Sequence, residues 1–94
     1  MSRERARSTV LIDNERVRMT EWRFAPESST HHHRHEFDYV VVPMTTGRLL
    51  IKTANGESFS DLATGVPYFR KSGVEHEVIN ANDVDFVFIE IEIK

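Results

Sequence analysis

Turn-forming residues cut this chain into pieces suited to strands and little else. Pro26, the Pro43–Gly47 stretch, Asn55-Gly56, Gly65, Gly73 and Asn80–Asp83 recur roughly every 8–12 residues. No ten-residue segment between them shows a helical period. Segments 8–14, 16–25, 37–42, 48–53, 57–62, 66–71, 74–80 and 83–94 read as strands, rich in β-branched and aromatic residues. Short strands at this spacing predict an all-β antiparallel sandwich or barrel. Asn55-Gly56 predicts a two-residue hairpin turn.

Two strands carry more detail. In 83–94, Val87, Ile89, Ile91 and Ile93 alternate with Glu90, Glu92 and Lys94, which predicts one buried and one wet face. In 16–25, Val17 and Met19 share one parity, and Trp22 and Phe24 share the other. That switch predicts a bulge near Thr20–Glu21.

A chain of 94 residues lies near the lower size limit for folding alone and gains from a metal or from oligomerisation. A homodimer that covers an edge strand is therefore expected. The reading is one domain over 9–94, after a flexible segment 1–8 in which Glu4 interrupts Arg3, Arg5 and Arg7. The formal charge of −3 speaks against a nucleic-acid partner, which calls for a clustered basic face. With no cysteine, disulfides, Cys-ligated zinc and thiol catalysis are excluded. No apolar run approaches the ~20 residues of a membrane span. The start MSRERARSTV lacks the apolar core of a secretory signal, so a cytoplasmic protein with no membrane partner is expected.

The chemistry is concentrated in HHHRHEFDYVVV, residues 31–42. The run is internal and leads straight into a core-like strand, so it is not a purification tag. On a strand, residues i and i+2 share a side, and two imidazoles so placed can bind one ion. His33-x-His35 fits, and so does His31-x-His33, one step earlier. His76, far downstream on another strand, is the only other histidine. It would complete a three-ligand site with positions open to water, oxygen or substrate.

Two stretches resemble the motifs of the cupin family, small antiparallel jelly-roll β-barrels. The second is the closer. Gly65, five residues, Lys71-Ser72-Gly73, two residues, His76, three residues and Asn80 follow the family pattern, with Lys71 in place of its proline. In the first, Glu27 stands at the expected glycine, five residues precede His33-Arg34-His35, and Gly47 closes the motif slightly late. The family's glutamate ligand falls on Tyr39 if His33 and His35 are the pair, and Asp38 takes that place if His31 and His33 are. Strand parity favours the first choice, since 33, 35, 37 and 39 share one face and 38 points away.

The resemblance implies a small jelly-roll (cupin) barrel whose mouth holds a divalent transition metal on His33, His35 and His76. Three neutral imidazoles suit Fe, Zn, Ni, Cu or Mn. Three-histidine sites occur among thiol and diketone dioxygenases of the superfamily. The implied activity is oxygen or Lewis-acid chemistry on a small chelating ligand, and the alternative is a non-catalytic cupin that uses its metal for structure or ligand binding. Tyr39 is the candidate catalytic group, a hydrogen-bond donor beside the ion. No general base is identifiable. His31 and His32 read as loop residues. Arg34, Glu36, Glu75 and Glu77 read as solvated charges, and Trp22, Phe24, Phe69, Phe86 and Phe88 as core or interface aromatics. Asn80 is expected to bond backbone at a strand end, and Gly47 and Gly73 to supply positive φ.

Overall fold

The computed structural model describes residues 3–94. Among them are nine strands and no helix: β1 Arg7–Asp13, β2 Val17–Phe24, β3 His33–Arg34, β4 Asp38–Pro43, β5 Gly47–Thr53, β6 Gly56–Leu62, β7 Tyr68–Arg70, β8 Glu75–Asn80 and β9 Phe86–Ile93. They form two antiparallel sheets in the orders β1-β2-β9-β4-β7 and β3-β8-β5-β6. The two sheets make an all-β jelly roll, as the turn spacing predicts. Among the described residues no helix is long and apolar enough to cross a membrane.

Phe24, Phe86, Phe88, Tyr39 and Val41 from the larger sheet close against Leu49, Leu62 and Val78 from the smaller, and Ala6 joins this core. Residues 1 and 2 of the expected flexible segment lie outside the described residues. From Ala6 onward the chain is already tied in. The Ala6 amide donates to the Ser29 carbonyl at 2.9 Å, and β1 opens at Arg7, ahead of the expected boundary at residue 9.

Strand β9 inverts the expected orientation. Its cross-strand partners place Phe86, Phe88, Glu90 and Glu92 on the same face as Phe24, Trp22, Thr20 and Arg18 of β2, which is the face toward the core. Val87, Ile89, Ile91 and Ile93 therefore point outward. Alternation reports that two faces differ, but it does not say which one is inside. Here the inner face carries a polar cavity, and the outer face is apolar.

The same circumstance explains the parity switch in β2. There is no bulge at Thr20–Glu21, because β2 pairs with β9 without a break from Val17 to Phe24. The irregularity lies in β1, between Val10 and Ile12. Trp22 and Phe24 face in, and Val17 and Met19 belong to the outer face. Across that face Ile12, Met19, Ile91, Val40 and Phe69 form one continuous row over all five strands.

Two turns also differ from expectation. Thr53 pairs with Gly56, so the hairpin loop is Ala54-Asn55, and Gly56 carries the positive φ of 119°. Gly73 has φ 92° as expected, but Gly47 is not among the positive-φ residues. Its small size serves a close approach instead. A Cβ there would lie 2.8 Å from the Asn82 Oδ1, which accepts the Arg48 amide hydrogen at 2.9 Å.

Asn80 ties the strand ends together. Its buried Nδ2 donates to the Phe24 and Val84 carbonyls at 3.1 and 2.8 Å, and its Oδ1 accepts from the Asn82 amide at 2.9 Å. Its main chain bonds Ser28 and Glu27. These bonds seat the segment that leads into the histidines.

Candidate metal centre

Strand β3 is only two residues long, yet it is pinned on both flanks. His33 pairs with His76 and Arg34 with Glu75. Beyond that pair, the His35 amide donates to the Val74 carbonyl at 2.8 Å, and the Gly73 amide donates to the His35 carbonyl at 2.7 Å. Upstream, the Thr30 amide donates to the Val78 carbonyl, and the buried Thr30 hydroxyl accepts the Val78 amide at 3.0 Å. These bonds fix the approach of β3 to β8, and they bring His33, His35 and His76 to one spot.

Their donor atoms all lie within 4.8 Å of one another. The His35 Nε2 is 3.0 Å from the Nε2 of His33 and 3.0 Å from that of His76. Two nitrogens bound at about 2.1 Å to one ion and subtending 90° are about 3.0 Å apart, so these two edges match adjacent positions around a single ion. The His33 Nδ1 lies 2.9 Å from the His31 carbonyl. With its proton on Nδ1, His33 turns a bare Nε2 lone pair into the cluster, the orienting arrangement common behind metal-bound histidines. His31 can present that carbonyl because its backbone is left-handed, with φ 62°. Lone pairs this close repel one another unless a cation or proton lies between them, so the donor set fits a divalent transition metal.

Burial keeps His35 and His76 neutral. Burial, followed by the neighbouring His33, lowers His35 to about 4, and the Glu92 carboxylate opposes this. Burial, then His33 and His35, lowers His76 to about 3. Neutral imidazole is the ligating form.

The other expected residues fall as follows. Tyr39 faces in, is 2% exposed, and stacks on the His35 ring at 3.8 Å between centroids. Burial raises its pKa, with Tyr68 and Glu90 adding to the effect, so it remains a neutral phenol. Asp38 points away, and its carboxylate accepts the Ser72 amide hydrogen at 2.8 Å. Neither Asp38 nor His31 belongs to the cluster. Glu77 is not simply solvated, because the Ser29 hydroxyl donates to it. Glu27, which replaces the motif's glycine, adopts the conformation glycine would supply, with φ 68°. Its amide donates to the Asn80 carbonyl at 3.1 Å, and its carboxylate pairs with Arg3 at 2.8 Å.

The cluster opens into a cavity of about 490 Å³ between the two sheets. Its far wall is built on β2, β9, β4 and β7. Arg18, Glu92, Tyr39 and Arg70 form one row across these strands, and Thr20, Glu90, Val41 and Tyr68 form the next. Arg18 grips Glu92 with two bonds, at 2.9 and 3.1 Å. The Arg70 guanidinium lies over the Tyr68 ring, 4.6 Å from its centroid, and makes no ion pair among the described residues. Burial, then the adjacent Glu92, raises Glu90 to about 7, and Arg18 opposes this. The sequence reading missed Glu90, Glu92, Arg18 and Arg70. The available signal was that Phe86 and Phe88 share the parity of the two glutamates.

Comparison with known proteins agrees with this architecture. No family model matches the chain. It is 54% identical over 92 residues to "Beta-alanine degradation protein BauB" of Pseudomonas aeruginosa, covering 98% of this chain and 97% of that protein. The crystal structure of a cupin domain from Bordetella pertussis superposes with a TM-score of 0.97 at 61% identity, covering 100% and 98% of the two chains. A cupin superfamily protein from Desulfitobacterium hafniense shares the fold at a TM-score of 0.74 and 18% identity, over 99% of this chain and 82% of that one. The two motifs, the jelly roll and these relatives together establish that the chain belongs to the cupin family.

Proposed function

We propose that this protein is a metal-dependent cupin enzyme. His33, His35 and His76 would hold a divalent transition metal, and the substrate would be a small chelating acid. The convergence of three imidazole nitrogens at the wall of the cavity carries this reading. When bound, such an ion supplies Lewis acidity and, if redox-active, chemistry with dioxygen. Tyr39 would donate a hydrogen bond beside it, and Arg70 would attract a carboxylate. The name of the BauB relative supports a substrate of the size of β-alanine.

The test loads purified protein with Fe(II), Mn, Ni, Zn or Cu in turn. Each form is offered β-alanine and the three-carbon hydroxy and oxo acids, and product is followed by NMR together with oxygen consumption. Turnover with at least one pairing is expected. A metal that raises the melting temperature, with no turnover across the panel, would overturn the enzyme reading and leave the ion a structural staple.

The unit that carries the site is proposed to be a homodimer. On the outer face of the larger sheet Ile12, Phe69 and Ile93 are 47%, 49% and 44% exposed, in and beside the apolar row that crosses all five strands. Contiguous apolar surface of this kind marks an association site. Sedimentation equilibrium at micromolar concentration should return twice the chain mass, and a monomer would remove the claim.

A further inference from the structure

The second wall of the cavity holds an acid that nothing in the fold uses. Glu90 is 9% exposed and lines the cavity shared with the three histidines. Among the described residues its carboxyl makes no side-chain hydrogen bond or ion pair. Its strand neighbour Glu92 has Arg18, so the one guanidinium within reach on β2 is already engaged. One row further in, the buried Trp22 Nε1 also lacks an acceptor. A largely buried carboxyl with no protein partner is costly to ionise, and this one lines a ligand-sized cavity, where a role is open to it.

Resting on the metal reading above, we propose that Glu90 is the proton acceptor of this site, taking the proton that a chelating ligand gives up when it binds as its conjugate base. Hydroxyl, enol, thiol and hydroxamate donors coordinate a divalent ion most strongly once deprotonated. The ligand's X–H bond breaks, its electron pair stays on X, and an O–H bond forms on the Glu90 carboxylate. No further reactant is needed. The substrate class follows: small acids that are protonated in solution and bind as anions.

The surroundings suit the task. The groups facing Glu90 are Glu92 on its own strand, Arg18 on β2 with Asp13 of β1 beside it, Tyr39 on β4, and Tyr68 and Arg70 on β7. Elsewhere the cavity is lined by the three histidines, by Arg5, Arg34 and Glu36, and by neutral side chains of the smaller sheet. Arg18 is committed to Glu92, and Tyr39 and Tyr68 are neutral phenols whose pKa values burial raises. Glu90 is thus the carboxyl of this wall left without a charged partner in the cavity that the histidines share, and near neutrality its own pKa leaves it able to accept a proton.

The test follows the rate of proton transfer. Zinc-loaded protein is mixed with acetohydroxamic acid by stopped flow between about pH 6 and pH 8, with Trp22 of the cavity lining as the fluorescent reporter. Acetohydroxamic acid enters protonated and binds metal as hydroxamate; the Glu90 carboxylate takes the proton and passes it on to solvent. The wild-type association rate should rise about tenfold over this range as Glu90 loses its own proton, Glu90→Asp should keep a rise with pH, and Glu90→Gln should be slower and lack it. Equal rates and pH profiles for wild type and Glu90→Gln overturn the proposal. Metal uptake is measured on every sample first. A wild type that takes up no zinc overturns the metal reading and this proposal together, whereas full loading with an unchanged rate profile overturns Glu90 alone.

Discussion

Alanine at His33, His35 or His76 is expected to weaken metal binding by more than about 100-fold, beyond the 10- to 100-fold typical of losing an orienting neighbour. His32→Ala should leave it unchanged. The four variants share a background charge and differ in where the ring pointed. His32 is exposed and outside the cluster, whereas each of the other three supplies one of its donor nitrogens. His35 should show the largest loss, because its Nε2 lies 3.0 Å from both other rings and its plane supports Tyr39. Metal-to-protein ratios after dialysis against a weak chelator check this. Loss at His32 equal to that at His33 would mean that a general affinity of histidines for metal, and not the convergent triad, is being measured.

The second large effect runs toward greater stability. Glu90 sits at about 7 in the fold against an ordinary 4.5. A raised carboxyl favours the folded state fully below the unfolded value, and that benefit is lost as pH rises through the folded one. At about pH 8 the buried carboxylate therefore costs on the order of 3 kcal/mol. Glu90→Gln keeps the shape and removes the charge. The metal-free variant should melt on the order of 10 °C higher than wild type at about pH 8, and within a few degrees of it near pH 4. His35 and His76 act in the opposite sense, their stability being lost as pH falls from about 6.5 toward 4 and 3. They are present in both proteins and cancel in the difference. Thermal melts at the two pH values decide it, and a gain that does not depend on pH would show that packing, not charge, is responsible. Stability held back at a cavity residue is the usual mark of a working group.

Much of this was legible in the order of residues, because the site depends on local geometry. His33 and His35 share a side by strand parity, and the spacing from Gly65 through Gly73 to His76 and Asn80 encodes a turn and the strand after it. The same parity set Tyr39 inside and Asp38 outside. What stayed hidden depended on closure. In β9 and β2 the alternation is clear, but both faces are partly apolar, and only the wrapping of the sheets decides which encloses the cavity. Glu90 was therefore read as wetted surface. Strand β3 is too short to carry a pattern at all, and only its bonds to β8 reveal it. Glu27 looked like a departure from the motif because letters record side chains and not backbone angles. Its φ of 68° shows the glycine-like bend retained.

The two-sidedness of Phe86–Ile93 limits how this protein can vary. Single exchanges along that stretch affect one population or the other. A one-residue insertion or deletion would exchange both at once, sending isoleucines toward the ligand and glutamates onto the outer surface. Length changes should therefore accumulate in the loops, and within Phe86–Ile93 homologues should differ by substitution alone.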